Sequence, residues 1–81
     1  MRLDKFLKIT RIIKRRTIAQ QLCDSDNVLV NGKAQKPSYS IKKGDELVVK
    51  YFSNTIKAKV LEIPKESLKK EDIGDYVSFE N

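Results

Sequence analysis

Apolar positions near the start of the chain recur with the period of an α-helix. The spacing i, i+3, i+4, i+7 is occupied by Leu3, Phe6, Leu7, Thr10 and Ile13. Because successive helical residues are rotated by about 100°, these positions share one face. Basic residues occupy the opposite side, namely Lys5, Lys8, Arg11 and Arg15. The pattern predicts an amphipathic helix over residues 2–13, with one face buried and the other charged.

A second, shorter helix is predicted directly after Arg16. Thr17 is suited to cap its N-terminus, and Gln20 stands three residues later, as in a capping box. The polar run at residues 24–27 then interrupts the apolar pattern. Asparagine tolerates the left-handed conformation that ends many helices, so we expect Asn27 to end this one.

The rest of the chain has the turn signals and β-branched runs of a small antiparallel sheet. Asn31 and Gly32 follow a short apolar run, and both tolerate the positive φ of a type I′ turn, so they predict a hairpin. Further strands are predicted at Glu46–Phe52 and at Thr55–Ile63, with a turn at Ser53-Asn54 and a short helix at Glu66–Ile73. Tyr76, Val77 and Phe79 indicate either a last short strand or a docking tail. The alternation slips at Leu61, which indicates a bulge or a change of face. Two helices followed by antiparallel strands predict an α+β fold.

Positive charge is concentrated at the amino end. The chain has 81 residues, which indicates one domain, and a net charge of +6. Residues 1–16 contain seven Lys and Arg against one acid, whereas residues 64–81 contain three Lys against five acids. Such a positive cluster is typical of proteins that bind polyanions, although a solvated basic helix face has the same composition. We therefore favour nucleic acid as the partner.

Composition excludes several kinds of catalytic and metal site. Histidine is absent and Cys23 is the only thiol, which excludes His/Cys zinc sites, Ser-His-Asp triads and an internal disulfide. The single thiol and the lack of a signal-like apolar stretch at the N-terminus favour the cytoplasm, and we interpret Cys23 as a small core residue. Asp45 and Glu46 are adjacent, so a strand would point them to opposite faces. We predict no enzymatic activity, no metal site and no cofactor.

The candidate chemistry is phosphate binding where the two predicted helices meet. Lys14, Arg15 and Arg16 precede the second helix, whose first N–H groups carry a partial positive charge. Asp4 has two interpretations: it stabilises the N-terminus of the first helix, or it pairs with a neighbouring arginine and fixes its direction. With only three Tyr and three Phe, a row of base-stacking aromatics is not expected. The candidate RNA-binding residues are Arg2, Asp4, Lys5, Lys8, Arg11, Lys14, Arg15, Arg16 and Lys36.

Several short motifs resemble those of the S4-type RNA-binding domain. In chain order they are Arg2-Leu3-Asp4-Lys5-Phe6-Leu7, Arg15-Arg16-Thr17-Ile18-Ala19, Val28-Leu29-Val30-Asn31-Gly32, Lys36-Pro37-Ser38 and Gly44-Asp45-Glu46-Leu47. The family usually has glycine before the first strand, where this chain has Asn27, and asparagine tolerates the same backbone region. The short form, running from the methionine into a second hairpin, is most similar to the RqcP-like branch, which is related to the ribosome-associated heat-shock S4 protein.

The resemblance implies the αL motif of this family, in which two or three helices pack on a small, bent antiparallel sheet. Residues 1–63 would then form the S4-type domain, with a motif core at 1–50 and an added hairpin at 46–63. An acidic C-terminal extension follows at residues 64–81. It is either a solvated tail or a segment that docks on a protein.

The resemblance also implies a function without catalysis. RqcP-like proteins bind obstructed large ribosomal subunits, contact large-subunit ribosomal RNA and peptidyl-tRNA, and support alanine tailing by a factor of the RqcH/NEMF class. Arg2 and Arg16 would contact structured RNA, and Asp4 would orient that surface. The alternatives are a heat-shock-type factor that recycles aborted large subunits, and the RNA-binding module of a larger enzyme such as a pseudouridine synthase. We expect a monomer that does not associate with membranes.

Overall fold

Two α-helices, five strands and a 3-10 helix make up the molecule in the computed structural model, which describes residues 1–65 and 68–80. The helices are α1 (Leu3–Ile9) and α2 (Arg16–Asp24), and the 3-10 helix covers Lys70–Asp75. The strands are β1 (Val28–Val30), β2 (Lys33–Ala34), β3 (Glu46–Tyr51), β4 (Asn54–Val60) and β5 (Val77–Glu80). They form one antiparallel sheet in the order β2-β1-β3-β4-β5. The predicted α+β class is confirmed.

Helix α1 is shorter than the periodicity predicted. It ends at Ile9, and Thr10 is its C-cap. Arg11 then adopts a φ of 61°, and its N–H donates to the carbonyl oxygen of Lys8 at 3.1 Å. Ile13 is buried although it lies outside the helix. The prediction of a helix to residue 13 was therefore wrong, because the apolar positions continue into the core while the backbone has already turned.

Helix α2 begins and ends differently from the sequence prediction. Its N-cap is Arg15, without a side-chain cap hydrogen bond, so the capping role given to Thr17 was wrong. At the other end the left-handed residue is Asp26, with a φ of 60°, and not Asn27. The N–H of Asn27 donates to Leu22 O at 2.8 Å, and that of Asp26 donates to Cys23 O at 3.1 Å. These two bonds form a Schellman motif, which caps the helix through its backbone.

The first hairpin has the predicted turn. Asn31 and Gly32 have φ values of 52° and 84°, as a type I′ turn requires, and Val30 pairs with Lys33 across it. The second turn is displaced by one residue from the prediction. Phe52 and Ser53 form it, because Asn54 already pairs with Tyr51 as the first residue of β4.

Strand β4 ends where the alternation slips. Val60 is its last residue, and the N–H of Leu61 donates to Tyr76 O at 2.8 Å outside the ladder. The strand predicted to residue 63 was therefore three residues too long. Two residues of the helix predicted at 66–73, Glu66 and Ser67, lie outside the described residues, and the described remainder contains the 3-10 helix that starts at Lys70.

The carboxyl end of the chain contributes a strand to the sheet, which is the first of the two alternatives predicted for it. Strand β5 pairs with β4 in the register Val60↔Val77, and Val77 is buried. Residues 77–80 are therefore part of the sheet and not a solvated tail. No helix within the described residues is both long enough and apolar enough to cross a membrane.

The core lies between the two helices and one face of the sheet. Antiparallel partners share a face, and the inner face consists of the buried side chains Val28, Val30, Leu47, Val49, Ala58, Val60 and Val77. The helices contribute Leu3, Phe6, Leu7, Ala19 and Cys23. Cys23 is fully buried, as expected, and burial, with further contributions from the charges of Asp4 and Asp24, raises its pKa to about 11. This thiol is a packing residue.

Candidate nucleic-acid interface

A buried carboxylate joins the two helices on the basic side of the molecule. The Asp4 side chain has no exposed surface, and Arg2 donates to it through Nε at 3.0 Å and Nη2 at 3.3 Å. Arg16 donates through Nε at 3.1 Å and Gln20 through Nε2 at 2.9 Å. The backbone N–H of Lys5 adds a bond of 2.9 Å. We call Arg2, Asp4, Arg16 and Gln20 the Asp4 cluster.

The position of each member of the Asp4 cluster follows from the helices. Arg2 is the N-cap residue of α1 and Asp4 lies in its first turn. Arg16 is the first residue of α2, and Gln20 lies one turn later on the same face. The carboxylate therefore cross-links the N-terminal ends of both helices.

The segment before β3 holds the start of the chain in place. Arg2 forms a bridge with Ser40, and the N–H of Leu3 donates to Tyr39 O at 2.7 Å. The N–H of Asp4 donates to Pro37 O at 3.2 Å. Because these bonds fix the backbone on both sides of Arg2, the direction of its side chain is restricted before any ligand binds.

The Asp4 carboxyl is charged at all ordinary pH values. Burial alone would raise its pKa, but the hydrogen bonds from Arg2, Gln20, Arg16 and the Lys5 backbone outweigh that effect and hold the pKa well below its usual range. Both interpretations of Asp4 agree with its position, since it lies in the first turn of α1 and also pairs with two arginines. The pKa of Asp4 is lowered because these hydrogen-bond donors stabilise the charged form of the carboxyl group.

The two guanidinium groups are oriented by Asp4 without being removed from solvent. The side chains of Arg2 and Arg16 remain 50% and 43% exposed. Two positive charges share one negative charge, so the cluster retains a net positive charge. Each guanidinium presents Nε and Nη2 to Asp4, and within the described residues no hydrogen bond engages Nη1 of either arginine. This arrangement leaves two partly exposed cationic groups beside one carboxylate, and both can bind phosphate oxygens.

The other predicted site residues surround the cluster or lie apart from it. Lys5 and Lys36 are exposed and lie close to the cluster. The backbone N–H of Lys5 donates to the Asp4 carboxylate, and the carbonyl oxygen of Pro37, next to Lys36, accepts the N–H of Asp4. Lys36 also lies 3.9 Å from the exposed carboxylate of Asp26. The remaining four are exposed, and no hydrogen bond within the described residues joins them to Asp4: Lys8, Arg11, Lys14 and Arg15.

The motifs that resembled a known family are matched by comparison with known proteins. The family model described as S4 domain matches residues 1–47. The chain belongs to the S4 domain family. The Asp4 cluster lies entirely within the matched segment, and so do β1, β2 and the first residues of β3.

Relatives of this S4 domain protein extend the similarity beyond the matched segment. A protein of Halalkalibacterium halodurans named RQC P-site tRNA stabilizing factor is 42% identical over 72 residues, which cover 89% of this chain and 81% of the relative. The Bacillus subtilis protein of the same name is 44% identical over 75 residues, covering 93% and 86%. The trimeric structure of Vibrio cholerae Heat Shock Protein 15 matches with a TM-score of 0.89 at 22% identity, covering 99% of this chain and 81% of that one. That last likeness concerns the fold.

Two polar residues that organise this S4 domain, Gln20 and Asp45, were not predicted as such from the sequence pattern. Gln20 was assigned to a capping box, whereas its side chain donates to Asp4. The spacing Arg16/Gln20, one helical turn apart, was the available signal. Asp45 was placed in a family motif and rejected as a catalytic group, but its structural role was not predicted: it is buried and accepts hydrogen bonds from Asn31 Nδ2 at 3.0 Å and Tyr39 Oη at 3.3 Å.

The Asp45 bonds fix the loop that supports the start of α1. The Lys42 N–H donates to the same carboxylate at 2.9 Å, so the loop closes on itself between Tyr39 and Asp45. Burial, together with the charge of Asp45, raises the pKa of the Tyr39 hydroxyl, which stays protonated as a donor. Since Tyr39 O accepts the Leu3 N–H, this second carboxylate supports the Asp4 cluster through the backbone.

Proposed function

We propose that this protein binds structured RNA through the Asp4 cluster and acts as a non-enzymatic tRNA-stabilising factor in ribosome-associated quality control. The observation that carries the proposal is the buried Asp4 carboxylate, which orients two half-exposed arginines side by side. The relatives named RQC P-site tRNA stabilizing factor, 42% and 44% identical over most of the chain, support the biological setting.

The physical mechanism is a pre-organised phosphate contact. A free arginine loses side-chain conformational freedom when it binds a phosphate, whereas Arg2 and Arg16 are already restricted by Asp4. Recognition by phosphate contacts positions an RNA without reading its sequence. This suits a factor that must hold any tRNA whose nascent chain has stalled.

The finer proposal is a clamp between two RNAs on an obstructed large ribosomal subunit. The Asp4 cluster would contact one RNA, and the exposed cations at Lys8, Arg11, Lys14 and Arg15 would contact a second, with large-subunit ribosomal RNA and peptidyl-tRNA as the two partners. In this role the protein, as a cytoplasmic monomer, supports alanine tailing of the nascent chain by a factor of the RqcH/NEMF class. No step of bond chemistry is assigned to it.

Co-sedimentation with purified large ribosomal subunits tests the RNA-binding surface. The variant Arg16→Gln removes one guanidinium, and we expect the dissociation constant to rise at least about tenfold, since a charge-assisted contact contributes roughly 1.5–3 kcal/mol. The matched control is Lys70→Gln, which removes the same charge from the exposed 3-10 helix and should leave binding unchanged. Circular dichroism verifies that both variants fold. Equal sedimentation of the two variants would reject the proposed surface.

A reconstituted tailing reaction tests the biological role. Obstructed large subunits with peptidyl-tRNA and an RqcH/NEMF-class factor should add alanine when this protein is present and stop when it is left out. If tailing continues unchanged in its absence, the role in tailing is wrong, and recycling of aborted subunits by a heat-shock-type factor becomes the better account of the same RNA-binding surface.

A further inference from the structure

A second carboxylate, directly before strand β3, is buried without a cationic partner. Asp45 is 7% exposed, and no lysine or arginine within the described residues forms an ion pair with it. Its oxygens accept hydrogen bonds from Asn31 Nδ2 at 3.0 Å, Tyr39 Oη at 3.3 Å and the Lys42 N–H at 2.9 Å. Burying a carboxylate is costly, and these bonds offset that cost while they fix the three donors. We call Asn31, Tyr39, Lys42 and Asp45 the Asp45 network.

The Asp45 network is anchored in the sheet. The carbonyl oxygen of Asp45 accepts the N–H of Val60, the last residue of β4, at 2.8 Å. Asn31, in the turn between β1 and β2, donates its N–H to Glu46 O at 2.8 Å and accepts the Glu46 N–H through Oδ1 at 3.0 Å. Strands β1, β3 and β4 therefore fix the position of the carboxylate, and the Tyr39 hydroxyl is tied to that fixed point.

Tyr39 connects the Asp45 network to the backbone around Arg2. Its carbonyl oxygen accepts the N–H of Leu3 at 2.7 Å, and the N–H of Ile41 donates to Met1 O at 2.9 Å. These two bonds lie on either side of Arg2. The direction in which the Arg2 side chain leaves the backbone is therefore determined by the segment that carries Tyr39.

The segment that carries Tyr39 is held more by hydrogen bonds than by packing. The side chains of residues 36–40 are all exposed or half-buried, and Ile41 is the first buried residue after them. In the part of the chain that the structure describes, the Tyr39–Asp45 bond is the one side-chain hydrogen bond of residues 36–40. Loss of that bond should therefore loosen the segment while the apolar core stays intact.

We propose that Asp45 is a positioning residue for RNA binding by Arg2. It acts through Tyr39 and the backbone beside Arg2, and it does not touch the RNA. A binding group reaches its full strength only when supporting residues hold it within about 0.5 Å of the productive geometry. A looser segment therefore weakens the phosphate contact of Arg2. The inference rests on the proposed function and adds to it a residue outside the Asp4 cluster.

The effect should be larger for Arg2 than for Arg16. Arg16 is the first residue of α2, and among the described residues no hydrogen bond joins α2 to residues 37–41. Arg16 therefore keeps its own support when the segment loosens. This difference between the two arginines distinguishes positioning by Asp45 from a general loss of stability.

A double-mutant cycle with purified large ribosomal subunits tests the inference. Co-sedimentation gives the dissociation constant for wild type, Asp45→Asn, Arg2→Gln and the double variant at a temperature where all of them are folded. Asp45→Asn replaces an accepting oxygen with an amide nitrogen of similar size and should raise the dissociation constant about 3- to 10-fold. In the Arg2→Gln background the same change should raise it by less than about twofold, because the group that Asp45 positions is absent.

Tyr39→Phe is a milder variant that removes only the hydroxyl. It keeps the ring and the carbonyl oxygen that accepts the Leu3 N–H, and it should raise the dissociation constant at least about twofold. The matched control is Tyr51→Phe on β3, whose hydroxyl makes no hydrogen bond within the described residues, and it should leave binding unchanged. If Asp45→Asn does not fold, Tyr39→Phe takes its place in the cycle with Arg2→Gln.

NMR spectroscopy of the free protein provides a readout that does not depend on RNA. The Nε–H groups of Arg2 and Arg16 both donate to Asp4. In Asp45→Asn and in Tyr39→Phe, exchange of the Arg2 Nε–H with solvent should become faster, and exchange of the Arg16 Nε–H should change less. An unchanged exchange rate for Arg2 in both variants overturns the inference.

The outcomes separate this inference from the proposed function. If Asp45→Asn and Tyr39→Phe leave subunit binding unchanged, or weaken it by the same factor with and without Arg2, Asp45 only stabilises the fold and the inference is wrong. The proposed function then stands as long as Arg2→Gln and Arg16→Gln weaken binding. Equal binding by wild type, Arg2→Gln and Arg16→Gln rejects the proposed function itself, and the inference with it.

Discussion

A single carboxylate determines how the basic surface of this S4 domain is presented. Removing Asp4 from water is costly, but its two oxygens accept bonds from Arg2, Arg16, Gln20 and the Lys5 backbone, which offsets that cost. Since the arginines remain about half exposed, they keep their interaction with solvent while losing much of their freedom to rotate. Asp4 is therefore a positioning residue for the arginines.

The variant Asp4→Asn tests this view by its effect on stability and its pH dependence. A lowered pKa in the folded protein means that Asp4 contributes stability above its ordinary pKa, near 3.8, and that this contribution is lost progressively as the pH falls below that value. We expect Asp4→Asn to lower the free energy of unfolding by about 2–3 kcal/mol at pH 6, and the difference from wild type to shrink toward pH 3. Urea unfolding at both pH values measures it.

The control for this prediction is Asp24→Asn, which removes an exposed carboxylate from the last residue of α2. Its stability should stay within about 0.5 kcal/mol of wild type. If the Asp4→Asn difference has the same size at pH 6 and pH 3, the ionised carboxylate is not what stabilises the helix junction.

At the scale of elements, the sequence predicted those turns whose residues carry their own conformational signal. Asn31-Gly32 is such a case, because both residue types tolerate positive φ and both residues have a positive φ in the structure. Arg11, Asp26 and Phe52 also take positive φ. The N–H groups of Arg11 and Asp26 donate to Lys8 O and Cys23 O at the ends of the helices, and Phe52 lies in the β3–β4 turn. Arginine and phenylalanine do not signal a left-handed residue, so the end of α1 and the second turn could not be placed.

The candidate site was predictable in its charged members and not in its connections. Arg2, Asp4 and Arg16 were identified from the local charge and from short motifs, because both of these signals are contained in short segments of the sequence. Gln20 and Asp4 are sixteen residues apart in the sequence, and the hydrogen bond between them depends on the packing of α2 against α1. The Arg16/Gln20 spacing places both side chains on one face of the helix, but the spacing alone does not show that Gln20 reaches Asp4.

The pairing of strand β5 with β4 predicts that the carboxyl end of the chain contributes to stability. Val77 is 2% exposed and pairs with Val60, so Val77→Ala should lower the free energy of unfolding by about 2 kcal/mol through lost burial and a small cavity. Thermal unfolding measures the effect. Ser78→Ala, an exposed change at the next residue of the strand, is the control and should be nearly neutral. Two equally neutral variants would show that β5 contributes nothing to the core.

At the scale of the whole molecule, the excess positive charge lies in the amino-terminal residues, and the strands of the sheet lie in the rest of the chain. The amino-terminal sixteen residues carry the positive excess and form α1, the following loop and the start of α2. The strands supply the buried apolar face against which these helices pack. The sheet therefore acts as the support, and the helix junction is the surface that we propose for contact with RNA.

This division predicts how binding depends on salt. Each phosphate contact releases counterions, so the logarithm of the association constant should fall linearly with the logarithm of the salt concentration, with a slope of about −0.7 to −0.9 per contact. Arg16→Gln removes one cation from the Asp4 cluster and should make the slope shallower by one such step. Lys70→Gln removes the same charge at the other end of the chain and should leave the slope unchanged. Fluorescence anisotropy with a labelled stem–loop RNA at several salt concentrations gives the slopes. Equal slopes for the two variants would mean that net charge, and not the helix junction, determines binding.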